Sequence, residues 1–99
     1  MELSVKEIGQ YLKQLREVKE LTTRDVHILC GVSNSYLSLI ENGHRRASAT
    51  VLKKLAPIYN VNYLELYSKS GYVDLEEAEK KEIEKFKKRL PILRYYNEQ

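Results

Sequence analysis

The side chains with chemistry to offer gather in one stretch of the chain. Asn34, Ser35 and Ser38 stand in a short segment whose apolar residues, Leu37 and Ile40, leave them free of packing duty. An asparagine amide donates and accepts at once, so Asn34 can pair bidentately with the edge of an adenine. Ser35 and Ser38 suit shorter contacts with bases, and Leu39 can touch a thymine methyl or pack on a neighbouring element. Just beyond come the turn signal Asn42-Gly43 and a basic run, His44, Arg45 and Arg46. Asn42, Arg45 and Arg46 are the residue types that meet phosphate oxygens. Ser33 reads as a helix cap and also as a candidate phosphate contact. Tyr36 either sends its hydroxyl to a phosphate or serves the core alone. Other chemistries lack their parts. A single cysteine, Cys30, excludes an intrachain disulfide. With Leu29 and Val32 beside it, it reads as a small core hydrophobe. His27 and His44 are too isolated for a metal site, and no zinc-ligand spacing occurs. No nucleophile stands with a base, and no glycine loop can cradle phosphate. An enzyme, a metal and a cofactor are therefore not expected.

The elements that must position this stretch read as helices, and strand alternation is nearly absent. Ser4 with Glu7 makes a capping box, after which Val5, Ile8, Leu12 and Leu15 recur at helical spacing over residues 5 to 19. Thr22 with Asp25 repeats the signal. A short helix follows, expected to carry Val26, Leu29 and Cys30 inward and to stop at Gly31. Ser33 caps a third helix over residues 34 to 41, with Tyr36, Leu37 and Ile40 inward. Ser48 caps a fourth, carrying Val51, Leu52 and Leu55, which Pro57 should kink or tighten near its end. Asn62 with Glu65 caps a fifth, ending near Gly71. Asp74 with Glu77 caps a sixth, which should fail just before Pro91. Two short helices joined by a tight glycine turn cross steeply, so the first can brace on a phosphate backbone while the second enters the major groove. Ninety-nine residues are one domain's worth of chain. The net charge of +3 says little alone, but residues 1–70 hold ten Lys/Arg against seven Asp/Glu, whereas residues 71–99 balance at seven each. No apolar run approaches the roughly 20 residues of a membrane span. The start, Met1-Glu2-Leu3-Ser4, lacks the build of a signal peptide. A cytoplasmic protein is expected.

The second and third helices, from Thr22 to Gly43, resemble the Xre/Cro family of lambda-repressor-like helix-turn-helix domains. The matching pattern runs from Ile8 to Gly71. It includes Ile8-Gly9, Leu12, Leu15-Arg16, Gly31-Val32-Ser33, Tyr36-Leu37-Ser38, Ile40-Glu41, Gly43, Leu55-Ala56 and Val61. Together these are specific; singly none is. The resemblance implies an all-α fold, a compact five-helix repressor-like bundle over residues 1–71; the C-terminal amphipathic helix and tail over 72–99 are read from the residues beyond it. It implies a transcriptional regulator, a repressor of prokaryotic or phage type, that reads double-stranded DNA with the helix at 34–41. It also implies a structural ion pair between Arg16 and Glu41. Departures from the family pattern are Thr23 where a phosphate-holding glutamine is frequent, His27 where alanine is usual, Ala47 where proline is common and Leu39 where a polar reader is frequent. Thr23 keeps a hydroxyl that can bond phosphate at shorter reach. His27 either parts the two helices or turns outward.

So few cations bind weakly at cellular salt, so a homodimer on half-sites about 10 base pairs apart is expected. Leu75, Ile83, Phe86 and Leu90 lie along one face of the sixth helix, which opens with glutamates and closes with lysines, in the order that complements the helix dipole. That stripe either binds a second copy or another protein, as an antitoxin's would, or folds back on its own domain. Pro91-Ile-Leu-Arg-Tyr-Tyr96 is an apolar, aromatic tail. The competing reading is a protein-interaction module, such as an antirepressor or adaptor, on the same fold.

Overall fold

The structure is a computed structural model that describes residues 2–72 and 77–88. Six helices follow one another: α1 (Val5–Val18), α2 (Thr23–Cys30), α3 (Asn34–Glu41), α4 (Ala49–Ile58), α5 (Tyr63–Lys69) and α6 (Glu77–Lys88). Among the described residues there is no strand, and the fold is all-α.

Side-chain caps set where the helices begin. Ser4 Oγ accepts from the Glu7 N–H at 3.1 Å while Glu7 accepts in return from the Ser4 N–H at 3.0 Å. Thr22 and Asp25 repeat this box at 3.0 and 2.8 Å. The backbone and hydroxyl donors of these caps hold both carboxyls below their ordinary pKa values. Ser33, Ser48 and Asn62 cap α3, α4 and α5. Where helices end, the chain turns through a left-handed residue. Glu20 and Asn60 do this at φ 56°, and Gly31, Gly43 and Gly71 at φ 77–83°. After α1 the Leu21 N–H reaches back to the Arg16 carbonyl at 3.2 Å, closing the orphan carbonyls of the last turn. Pro57 removes one backbone donor from α4, and the helix runs only one residue past it.

The core gathers Ile8, Leu12, Val26, Val32, Leu37, Ile40, Leu52, Leu55, Tyr59 and Leu66, with Ala47 and Ala56. Helix α1 packs on α3, α2 on α3 and α4, and α4 on α5. Gly9 makes the first of these contacts possible. A Cβ there would collide with the Ile40 carbonyl oxygen, so the backbones of α1 and α3 lie against each other.

Two expectations are corrected, the inward place of Leu29 and the end of α1. Leu29, expected inward, is 59% exposed, and Ile28 beside it 71%. Helix α2 buries only Val26 fully, and a helix of eight residues presents too narrow a face to cover Leu29 as well. Tyr72, one residue past the expected boundary at 71, packs against the core. In the C-terminal stripe, Ile83 is 6% exposed in the single chain. Phe86 is half-buried. Leu75, Leu90 and the expected cap Asp74 lie outside the described residues. Finally, α1 ends at Val18, one residue early, where the left-handed turn at Glu20 takes over.

Candidate nucleic-acid interface

Gly31 ends α2 by adopting φ 83°, a conformation that costs a residue with a Cβ about 1–2 kcal/mol. The buried Val32 then anchors the turn, and Ser33 Oγ accepts from the Tyr36 N–H at 3.1 Å to start α3. Leu37 and Ile40 are fully buried and Glu41 is 6% exposed, so one side of α3 is fixed in the core. On the other side Asn34, Ser35, Ser38 and Leu39 are all exposed. The four residues expected to read bases thus share a face that the described residues leave uncovered.

An ion pair holds the far end of α3. Arg16 Nε donates to Glu41 Oε2 at 2.8 Å and Arg16 Nη2 to Glu41 Oε1 at 2.9 Å. The remaining Nη1 donates to the Leu21 carbonyl at 2.7 Å. The guanidinium therefore spans the end of α1, the turn after it and the end of α3. Its bonds to Glu41 raise the Arg16 pKa further. A two-pronged bond fixes orientation as well as distance. Tyr59 lies near this pair, and burial followed by the Glu41 charge pushes its hydroxyl pKa up.

The basic loop after α3 is held from two sides. Tyr36 Oη accepts from the Ser48 N–H at 3.3 Å, which leaves its own proton for another acceptor. The Arg45 guanidinium stands 5.5 Å from the centre of the Tyr36 ring. Arg46 turns the other way: it lies 4.1 Å from the Tyr72 ring centre and donates through Nη2 to the Ser70 carbonyl at 2.8 Å. The structure thus gives Arg46 an internal duty, although the residue is exposed. Asn42, Ser33 and Arg45 are exposed, Tyr36 is half-buried, and Thr23 is half-buried at the first position of α2, where Thr22 makes the cap. His27 has turned outward; its Nδ1 lies 3.3 Å from the Val32 carbonyl oxygen. Sequence reasoning did not single out Lys6 and Lys13, which with Gln10, Gln14, Asn42 and the carboxylates Glu17 and Glu41 line a recess of about 440 Å³ between α1 and the end of α3. Their helical spacing along α1 marks them as one face, but only the fold brings that face beside Asn42.

A family model described as a helix-turn-helix domain matches residues 7–66. The chain is 35% identical over 66 residues to the HTH-type transcriptional regulator RghRB of Bacillus subtilis, covering 66% of this chain and 48% of that protein. It is 37% identical over 67 residues to the HTH-type transcriptional repressor RghR of the same organism, covering 67% of this chain and 50% of the relative. The chain thus spans about half the length of these relatives. Among solved structures it resembles the restriction-modification controller protein C.AhdI from Aeromonas hydrophila, at 32% identity and a TM-score of 0.58, over 63% of this chain and 94% of that one. With the glycine turn, the anchored α3 and its open polar face in place, the chain belongs to the helix-turn-helix domain family, in the Xre/Cro group that its motif resembles.

Proposed function

We propose that this protein is a sequence-specific, double-stranded-DNA-binding transcriptional regulator that represses by occluding a promoter. The observation that carries this reading is the exposed row Asn34, Ser35, Ser38 and Leu39 on a helix whose opposite side is buried and clamped by Arg16 and Glu41. Asn34 reads a base edge, with Ser35, Ser38 and Leu39 completing the contact surface. Ser33, Tyr36, Asn42, Arg45 and Thr23 position the domain on phosphate oxygens, and Lys6 and Lys13 extend that footprint along α1. Arg46 is held by Ser70 and Tyr72 and is left out of the footprint. The relatives named as transcriptional regulators support the reading. Two copies act together on a duplex in the cytoplasm of a prokaryote. No helix among the described residues is long and apolar enough to cross a membrane.

Selection of bound sequences from a random duplex pool tests this. A recurring motif is expected, and Asn34→Ala should weaken binding to it by about 1–3 kcal/mol and relax preference at one position. An unenriched pool would end the proposal of sequence-specific reading. The exposed pair Ile28 and Leu29 on α2 favours a second reading, a protein-interaction module. Absence of any salt-sensitive shift on random duplex, even at low salt, would support that module instead.

A further inference from the structure

Two adjacent arginines of the loop part company, and the residues they meet suggest why. Arg45 goes to Tyr36, on the side of α3, and Arg46 goes to Tyr72, which follows α5. Tyr72 makes more than this one contact. Its Oη donates to the Ala47 carbonyl at 2.6 Å, and its N–H donates to the Tyr67 carbonyl at 2.8 Å. Its ring stands edge-on to Tyr67, with centroids 6.0 Å apart. Arg46 meanwhile bonds the carbonyl of Ser70, a residue only 5% exposed. The loop between α3 and α4 is thus tied at two successive residues, Arg46 and Ala47, to the three residues Ser70 to Tyr72.

We propose that Arg46 and Tyr72 are positioning residues for DNA binding: they form a clamp on the rear of the loop that holds Arg45 in reach of a phosphate. This rests on the proposed assignment of Arg45 to the phosphate footprint. The physical reason is the loop's own composition. Between His44, whose N–H donates to the Leu39 carbonyl at 2.9 Å, and the Ser48 cap no regular secondary structure fixes the backbone. A loose arginine there must lose its freedom when it binds, and that loss subtracts from affinity. Arg46 supplies the charge for a stacked contact on Tyr72, and the Tyr72 hydroxyl fixes the next peptide. With the peptide at Ala47 held, the preceding residues cannot swing, and Arg45 faces away from Tyr72 toward the Tyr36 side.

The experiment measures duplex affinity at several salt concentrations for the full chain and for Arg45→Gln, Arg46→Gln, Tyr72→Phe and Tyr72→Leu, each with a thermal melt. Loss of a phosphate contact lowers the slope of log affinity against log salt by about 0.9 per bound copy. The clamp requires that Tyr72→Leu, which removes no charge, lower affinity and slope as Arg45→Gln does, by up to about 0.9. It also requires that Arg46→Gln do no more than this. In the Arg45→Gln background Tyr72→Leu should cost nothing further, within about twofold. Tyr72→Phe keeps the ring, so it should fold and show a smaller loss. The clamp is overturned if Tyr72→Leu shifts only the melt and leaves affinity and slope as in the unaltered chain. It is also overturned if Arg46→Gln lowers the slope while Tyr72→Leu does not, since Arg46 would then touch phosphate itself. Failure of Arg45→Gln to change the slope would instead remove Arg45 from the footprint, and failure of the unaltered chain to bind duplex would remove the DNA reading altogether.

Discussion

Glu41 is the residue on which the placement of α3 turns. Its side chain is 4% exposed and its two oxygens are both engaged by Arg16. A carboxylate buried to that degree is costly without its partner and nearly neutral with it. Arg16→Leu should therefore destabilise the fold by on the order of 3 kcal/mol, and the melting temperature should drop by more than about 10 °C. Replacing both residues at once, Arg16→Leu with Glu41→Leu, should recover much of that stability, because no charge is then left unpaired. It should not recover full affinity for duplex, since the guanidinium also ties the Leu21 carbonyl and no apolar pair fixes three elements in one geometry. Melts and binding curves of the two variants beside the unaltered chain check this. A double variant as unstable as the single one would show that the pair adds stability in its own right.

At the scale of elements, the ends of the helices carry more information than their middles. Glu20 closes α1 at φ 56°, where a side chain with a Cβ is strained and glycine is not. It is exposed. Glu20→Gly should accordingly raise stability by about 0.5–1 kcal/mol net of the extra freedom glycine gains in the unfolded chain. An unchanged or lower melting temperature would show that the turn is not under strain. The same ends explain how much was legible in the sequence. Ser4, Thr22, Ser33, Ser48 and Asn62 each announce a helix start by a local rule, and each proves to be the cap. The uncovered face of α3 was legible too, because Leu37 and Ile40 left few positions for packing. Leu29 was misread because an eight-residue helix is too short for periodicity to define the edge of its buried face. The duty of Arg46 was not legible at all. Its partners, Ser70 and Tyr72, lie more than twenty residues away, and no spacing rule links a loop to a chain segment beyond two further helices. The recess that joins Lys6 and Lys13 to Asn42 was hidden for the same reason.

At the scale of the molecule, the question is how a small surface becomes a useful affinity. The cations that flank α3 are few: Arg45, with Lys6 and Lys13 beside Asn42. Each phosphate they neutralise contributes a salt slope of about 0.9, so one copy gains little at cellular salt. Linking two copies turns the second contact into an intramolecular one and multiplies the affinities without new chemistry. That gain exists only if both copies of α3 face the same side of the duplex. Binding sites spaced about one helical turn apart, near 10 base pairs, satisfy this. Ile28 and Leu29 on α2, 71% and 59% exposed, are among the apolar side chains that the described residues leave open. Duplexes carrying two copies of the selected half-site, with spacings varied one base pair at a time, bring this to a measurement. Affinity should peak near full turns and fall at least about tenfold when about 5 base pairs are inserted, because the second copy then faces the opposite side. The salt slope should halve together with it, as half the phosphate contacts are lost. An affinity indifferent to spacing would mean that each copy binds by itself, and the surface of a single domain would then have to supply all of the binding energy.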